Sequence, residues 1–243
     1  MTRRRWIADE TSGSRAALLG SQALHLARVL RARVGQEFDI VADGHVRRGR
    51  IVSLTPEKVE FELGAELPAA ALPKITLFLA VFKFDRMEWA IEKVTELGVT
   101  RILPLIARRT DAHLASAAAK RVERWRRIAR EAAQQSSRLA PPEIAAPARL
   151  AGAVEFAADC RIVLSEAEEQ VSLKQAVAGC NGSLALAIGP EGGWTAEEKG
   201  LFHERRWIAA SLGPTILRVE TAAIAAVSVA LAELAQPSLR RAD

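Results

Sequence analysis

Cysteine is scarce in this chain: only Cys160 and Cys180 occur in 243 residues, and neither belongs to a Cys-x-x-Cys pair. That rules out a cysteine framework or a zinc knuckle as the organising device, and two buried, reduced thiols are expected. His25, His45, His113 and His203 are scattered, with no i, i+4 pair and no cysteine neighbour, so no metal site is expected. No run of about 18 apolar residues is present, so no membrane span is expected either. Arg3, Arg4 and Arg5 are not followed by an apolar stretch, which argues against a secretory signal and for a cytoplasmic protein. The loops G-x-G-x-x-G and G-K-[ST] are both missing, which disfavours a nucleotide-binding regulator of the doubly wound type.

What is present is enough for one large or two modest cores, with 49% hydrophobic residues. The net charge of +5 is placed unevenly along the chain. Residues 69–150 hold 15 Lys and Arg against 8 Asp and Glu, whereas residues 151–243 hold 8 against 12. A basic middle beside an acidic end suits a polyanion-facing surface next to a pocket of another kind.

The first sixty-odd residues read as short strands with one helix. Ser21 to Arg31 carries an apolar stripe behind a serine cap. Glu37–Ala42, Val46–Leu54 and Lys58–Leu63, with an Asp43-Gly44 turn, predict an antiparallel meander. Glu66-Leu-Pro-Ala-Ala-Ala-Leu-Pro73 has linker composition, so the domains are placed at 1–68 and 73–243. Beyond it the pattern alternates. Strands are expected at 75–81, 101–106, 160–164, 183–188 and 207–211. Helices are expected from an Asp85 cap to Leu97, then at 116–137, 172–178, 195–205 and 220–235. Such alternation predicts an α/β fold whose parallel sheet is covered by helices, with its ligand at the carboxyl ends of the strands.

Three loops follow the late strands: Ser165-Glu166-Ala167, Gly189-Pro-Glu-Gly-Gly193, and Ser211 to Thr221. Glycines 189, 192 and 193 bare the main chain, and Thr195 with Glu198 has the spacing of a capping box that pins this loop to a helix. The final helix from Thr221 is small and apolar nearly all round, so it must be buried or packed on a partner.

Gly-Pro-Glu-Gly-Gly together with Leu212-Gly-Pro-Thr-Ile-Leu-Arg-Val-Glu-Thr-Ala222 resembles the RsmE family of ribosomal RNA uridine-N3 methyltransferases, within the SPOUT class of knotted methyltransferases. The likeness extends to His25–Arg31, the Asp43-Gly44 turn, Lys83, Lys93–Gly98, Pro104, Gln134, Gln135, Ser136 and Arg138. It implies an N-terminal PUA-like β-barrel that helps hold RNA, and a SPOUT-type parallel sheet closed by a trefoil knot. It also implies a homodimer, S-adenosyl-L-methionine as cofactor, and a uridine of 16S ribosomal RNA in the small subunit as substrate. The family usually has an arginine where this chain has Thr215.

On that basis the cofactor is expected on Leu164, Ser165, Glu166, Ile188, Gly189, Pro190, Glu191, Gly192, Gly193, Leu212, Gly213, Ile216, Leu217, Thr221 and Ala222. Their backbone would read an adenine edge, and their apolar side chains would enclose its faces. Uridine N3 must lose a proton before it attacks, so Arg218 is expected to offset the developing charge and Glu220 to accept the proton. Glu191 is better read as part of a cofactor loop. RNA phosphates are expected on Arg3, Arg4, Arg5, Lys83, Arg109, Arg127 and Arg138, and on the basic helix with Lys120, Arg121, Arg124, Arg126 and Arg130. Trp125 fits core packing or base stacking equally well. The rival reading is a non-catalytic PUA-like assembly factor, for which Thr215 is the best support.

Overall fold

The computed structural model describes residues 5–68, 73–166, 168 and 170–234. Arg3, Arg4 and Ala167 therefore lie outside the described residues. The chain divides into two compact units, Met1–Ala71 with Ala133–Pro141, and Leu72–Ala132 with Pro142–Asp243. The short 133–141 segment thus groups with the first unit, a long-range association that a linker composition could not signal.

In the first unit, β1 (Arg5–Ile7), β2 (Glu10–Ser12) and β3 (Arg15–Leu19) precede the short helix α1 (Gly20–Leu24). Then come β4 (Glu37–Ala42), β5 (His45–Leu54) and β6 (Lys58–Leu67). The six strands form one sheet in the order β1-β4-β5-β6-β3-β2, antiparallel except for the β1–β4 pair. Its core is Trp6, Leu18, Leu26, Ile40, Ile51 and Phe61. Asp43 and Gly44 both take positive φ, 51° and 80°, which makes the tight β4–β5 turn. The helix expected over 21–31 is corrected: after α1 the backbone loosens into a π-helical stretch at His25–Val29, and Ser21 is not the cap. No side chain caps α1; Asp9 instead braces the entry to it, accepting hydrogen bonds from Leu19 N–H at 2.8 Å and Gln22 Nε2 at 3.1 Å.

The second unit begins with β7 (Ile75–Ala80), α2 (Phe84–Leu97), β8 (Arg101–Ile106) and α3 (Ala112–Gln135). It continues through β9 (Glu143–Ile144), β10 (Ala148–Arg149), α4 (Leu150–Ala153), β11 (Cys160–Leu164), α5 (Leu173–Ala178) and β12 (Leu184–Ile188). The last elements are α6 (Ala196–Glu204), β13 (Ile208–Ala210) and α7 (Val219–Leu234). All strand pairs are parallel, in the order β10-β8-β7-β12-β11-β13, with β9 beside β8. Both faces of β7 are buried because period-2 alternation sends Ile75, Leu77 and Leu79 into one core and Phe78 and Ala80 into the other. Helices α2, α3, α5 and α7 cover the first face, and α4 and α6 the second.

Local chemistry differs from expectation at three points. Lys83, not Asp85, stands at the N-cap of α2, while Asp85 lies in the first turn, where its charge meets the helix dipole. Helix α3 starts at Ala112, four residues earlier than the serine at 116 suggests, with Asp111 accepting from the His113 N–H at 2.9 Å. The expectation of reduced thiols is overturned: Cys160 and Cys180 form a disulfide, because the parallel return from α5 to β12 brings their Cα atoms to 5.6 Å. No described helix is long and apolar enough to cross a membrane.

Candidate active site

The order β12-β11-β13 places the carboxyl ends of three strands side by side. The segments that leave them, 164–166, 188–194 and 210–219, wall a cavity of about 340 Å³, within the usual range for a small-molecule site. Leu164, Ile188, Leu212, Leu217, Val219 and Ala222 give it apolar surface, while Ser165, Glu166, Gly189, Pro190, Glu191, Gly193, Gly213 and Ile216 also line it.

The glycine loop is bare for definable reasons. A Cβ on Gly189 would sit 3.1 Å from the Trp194 ring, so the main chain lies flat on the indole. Gly193 has φ of 69°, and a Cβ there would come 3.1 Å from Glu166 Oε1. Trp194 ties two walls together, since its ring backs Gly189 and its Nε1–H donates to the Leu164 carbonyl at 3.0 Å. The capping box is formed: Thr195 Oγ1 accepts from Glu198 N–H at 3.2 Å, and Glu198 Oε2 accepts from Thr195 N–H at 2.9 Å. Glu198 also accepts from Arg108 N–H at 2.8 Å, which fastens the loop after β8 to the start of α6. Arg109 reaches over the same loop and donates to the Gly192 carbonyl.

Of the expected cofactor residues, Gly192 and Thr221 are not on the cavity wall. Gly192 is turned to Arg109, and Thr221 is exposed on α7. The two residues expected to catalyse separate. Arg218 is exposed on the wall. Glu220 is buried off the wall, with Oε1 3.8 Å from Arg86 Nε and Oε2 lacking a hydrogen-bond partner among the described residues. Residues that sequence reasoning missed here are Arg86, Trp194, Lys199, Ala210, Ser211, Pro214 and Val219. Thr215, noted as a departure, is also on the wall. Trp194 was legible as an aromatic directly after the Gly-Gly pair. Arg86 carried no local signal, because it arrives only through the pairing of β7 with β12.

The expected RNA contacts also sort by surroundings. Lys83, Arg127, Lys120 and Arg130 are exposed, and Arg5 is half-buried. Three arginines of α3 are occupied by neighbours: Arg124 pairs with Glu88 through two hydrogen bonds of 2.6 and 2.7 Å, which raise its pKa. Arg121 lies 4.7 Å over the Phe84 ring, and Arg126 donates to the Ile144 carbonyl at 3.2 Å. Arg138 is corrected as a phosphate contact: it is buried, and loss of solvation pushes its guanidinium down to about 10. Arg109 is likewise occupied by Gly192. Trp125 is fully buried, so it is core and not a stacking platform. Among the described residues no three His, Cys, Asp or Glu side chains converge on a possible metal position.

The parallel sheet with a cavity at its carboxyl edge belongs to an RNA methyltransferase domain by family: the family of that description matches residues 70–231, and an RNA methyltransferase PUA domain matches residues 18–64. The chain is 30% identical over 224 residues to ribosomal RNA small subunit methyltransferase E of Aquifex aeolicus, covering 91% of this chain and 96% of that one. It is 35% identical over 226 residues to the Synechocystis protein of the same name, covering 89% and 71%. A crystal structure of ribosomal RNA small subunit methyltransferase E from Neisseria gonorrhoeae, bound to S-adenosyl methionine, superposes with a TM-score of 0.78 at 27% identity, covering 93% of this chain and 95% of that one. The chain belongs to the ribosomal RNA small subunit methyltransferase E, or RsmE, family.

Proposed function

We propose that this chain is an S-adenosyl-L-methionine-dependent methyltransferase acting on N3 of a specific uridine in 16S ribosomal RNA. The observation that carries the reading is the cavity walled by three adjacent strand ends, in a chain of this family. Its fit to the cofactor rests on the apolar surface of Leu164, Ile188, Leu212 and Leu217, which can enclose an adenine ring, beside the main chain of 188–191 on the same wall. When bound, S-adenosylmethionine supplies an electrophilic methyl group on a sulfonium.

The protein's own part is to hold the base and manage charge. Uridine N3 keeps its proton at neutral pH, and its removal spreads negative charge onto O2 and O4. Arg218, exposed on the wall, is the donor for that charge. Glu220 is the proton acceptor, since its buried Oε2 has lone pairs open to a proton. Glu220 lies off the wall, directly after Val219, which lines it. Calorimetric titration with S-adenosylhomocysteine tests the whole reading, with binding expected at one site per chain. A protein that binds none is not this enzyme.

The first unit is proposed to close as a PUA-like barrel that holds RNA, and the C-terminal segment to thread a trefoil knot. The support for the knot is that Ser211 is flanked on both sides by the chain leaving β11. Ser165 N–H donates to Ala210 O at 3.0 Å, Ser211 N–H to Val171 O at 2.9 Å, and Leu173 N–H to Ser211 O at 2.8 Å. A homodimer is proposed through α7 and the neighbouring surface. Ile224, Ala225, Ser228 and Val229 remain half-exposed on an otherwise apolar helix, and Trp89 is 47% exposed on the adjacent α2. Light scattering is then expected to give twice the 26.3 kDa chain mass, and Trp89→Glu to give the single mass. A cytoplasmic location is proposed along with that substrate.

Phosphate contact falls to the exposed Lys83, Lys120, Arg127 and Arg130. Replacing Arg127 and Arg130 with alanine is expected to weaken RNA binding and to flatten the slope of log affinity against log salt by about 2. An unchanged slope in filter-binding titrations removes these two residues from the interface.

A further inference from the structure

Arg86 has no assigned role, yet its setting is that of an anion receptor. It sits in the first turn of α2 and lines the cavity, with its side chain about one-third exposed. Behind it lies the buried carboxylate of Glu220, at 3.8 Å from Nε. That distance is an ion pair but too long for a hydrogen bond, so the guanidinium donors are held in place electrostatically without being used up. Among the described residues Arg86 makes no hydrogen bond.

The other cations on the wall, Lys199 and Arg218, are exposed and form no ion pair with a carboxylate among the described residues. Arg86 is therefore the oriented cation of the cavity. A planar fork fixed from behind and open in front matches a carboxylate, which takes two parallel N–H donors. The cofactor proposed for this cavity ends in an α-amino acid, whose carboxylate is the only anionic group that it carries.

We propose that Arg86 binds the carboxylate of the cofactor's amino-acid end, with Glu220 as the positioning residue that holds its guanidinium toward the cavity. The inference rests on the cofactor reading above and goes beyond it by naming the residue that selects for the amino-acid moiety.

Three ligands separate the contributions: S-adenosylhomocysteine, its carboxamide, and 5′-methylthioadenosine, which lacks the amino acid. Calorimetry on the unaltered protein is expected to show S-adenosylhomocysteine binding about 10- to 100-fold more tightly than the other two, the size of one charge-assisted contact. In Arg86→Ala and Arg86→Gln that preference collapses, through weaker binding of S-adenosylhomocysteine alone, while 5′-methylthioadenosine keeps its affinity. A variant that weakens both ligands equally, or neither, overturns the proposal and leaves the cofactor reading standing. Binding of neither ligand by the unaltered protein sinks both. If the variants do not fold, the carboxamide decides on the unaltered protein: equal affinity with the parent acid overturns the carboxylate contact, and the expected loss upholds it.

Discussion

Arg218→Ala is expected to lower the single-turnover rate of methyl transfer by about 100- to 1000-fold, the usual cost of removing one donor aimed at developing charge. Affinity for S-adenosylhomocysteine should change little, because the cavity's apolar lining and the main chain at 188–193 do not depend on this guanidinium. The reason for the large kinetic effect is timing. Ground-state uridine is neutral, so a cation beside O2 or O4 gains most only as N3 gives up its proton. Arg218 lies on the wall, exposed, directly before α7. Arg218→Lys keeps a charge but loses the planar fork, and is expected to recover part of the rate. A full transfer rate in Arg218→Ala, with cofactor binding intact, would remove Arg218 from the chemistry. Its backbone role does not explain a loss of that kind, since the hydrogen bond from Ala222 N–H to its carbonyl at 2.8 Å survives truncation of the side chain.

Most of the cavity could be read from the chain because its walls are made by residues with strong local constraints. Gly189, Gly193 and Gly213 mark backbone that must run close to something or take positive φ, and the two Gly-Pro corners stop the strands before them. The Thr195–Glu198 spacing signals a helix start by itself, and the structure forms that box. Alternation of strands with apolar-striped helices was enough to foresee a parallel sheet, but not which strands are neighbours. The order β7-β12-β11-β13 depends on where each crossover returns. Arg86 and Arg109 join the site only through that order, so no window of sequence could include them. The same limit hid the disulfide: twenty residues separate Cys160 from Cys180, and only the return through α5 brings them together.

Charge was legible in amount but not in use. The basic helix α3 looked like a continuous phosphate-binding face, yet Glu88 on α2 takes up Arg124 and lies 3.8 Å from Arg121. Two helices packed on one face of the sheet exchange charge in this way because their polar edges meet over a shared apolar seam. The outer part of the helix, around Arg127 and Arg130, stays exposed, which is why the proposed RNA contact is put there.

Glu198→Ala is expected to destabilise the fold by about 2 kcal/mol, from a lost capping-box contact of roughly 1 kcal/mol plus two half-buried donors left without their acceptor. Glu198 is 4% exposed and its carboxylate accepts from three donors: Thr195 N–H at 2.9 Å, Thr195 Oγ1 at 3.1 Å and Arg108 N–H at 2.8 Å. Alanine leaves two half-buried main-chain N–H groups without this acceptor, one on each of the two loops it joins. The urea midpoint should fall by an amount equal to this cost divided by the m-value, with m itself unchanged. Glu198→Gln keeps one acceptor oxygen and is expected to cost less than half as much. The loss should reach the cofactor as well, because α6 anchors the Gly-Pro-Glu-Gly-Gly loop at its start and Arg108 holds it from the side. Glu198→Ala is therefore expected to weaken S-adenosylhomocysteine and 5′-methylthioadenosine together, unlike Arg86→Ala, which discriminates between them. A native urea midpoint in Glu198→Ala would mean that water satisfies both amides, and that the two loops are held by packing alone.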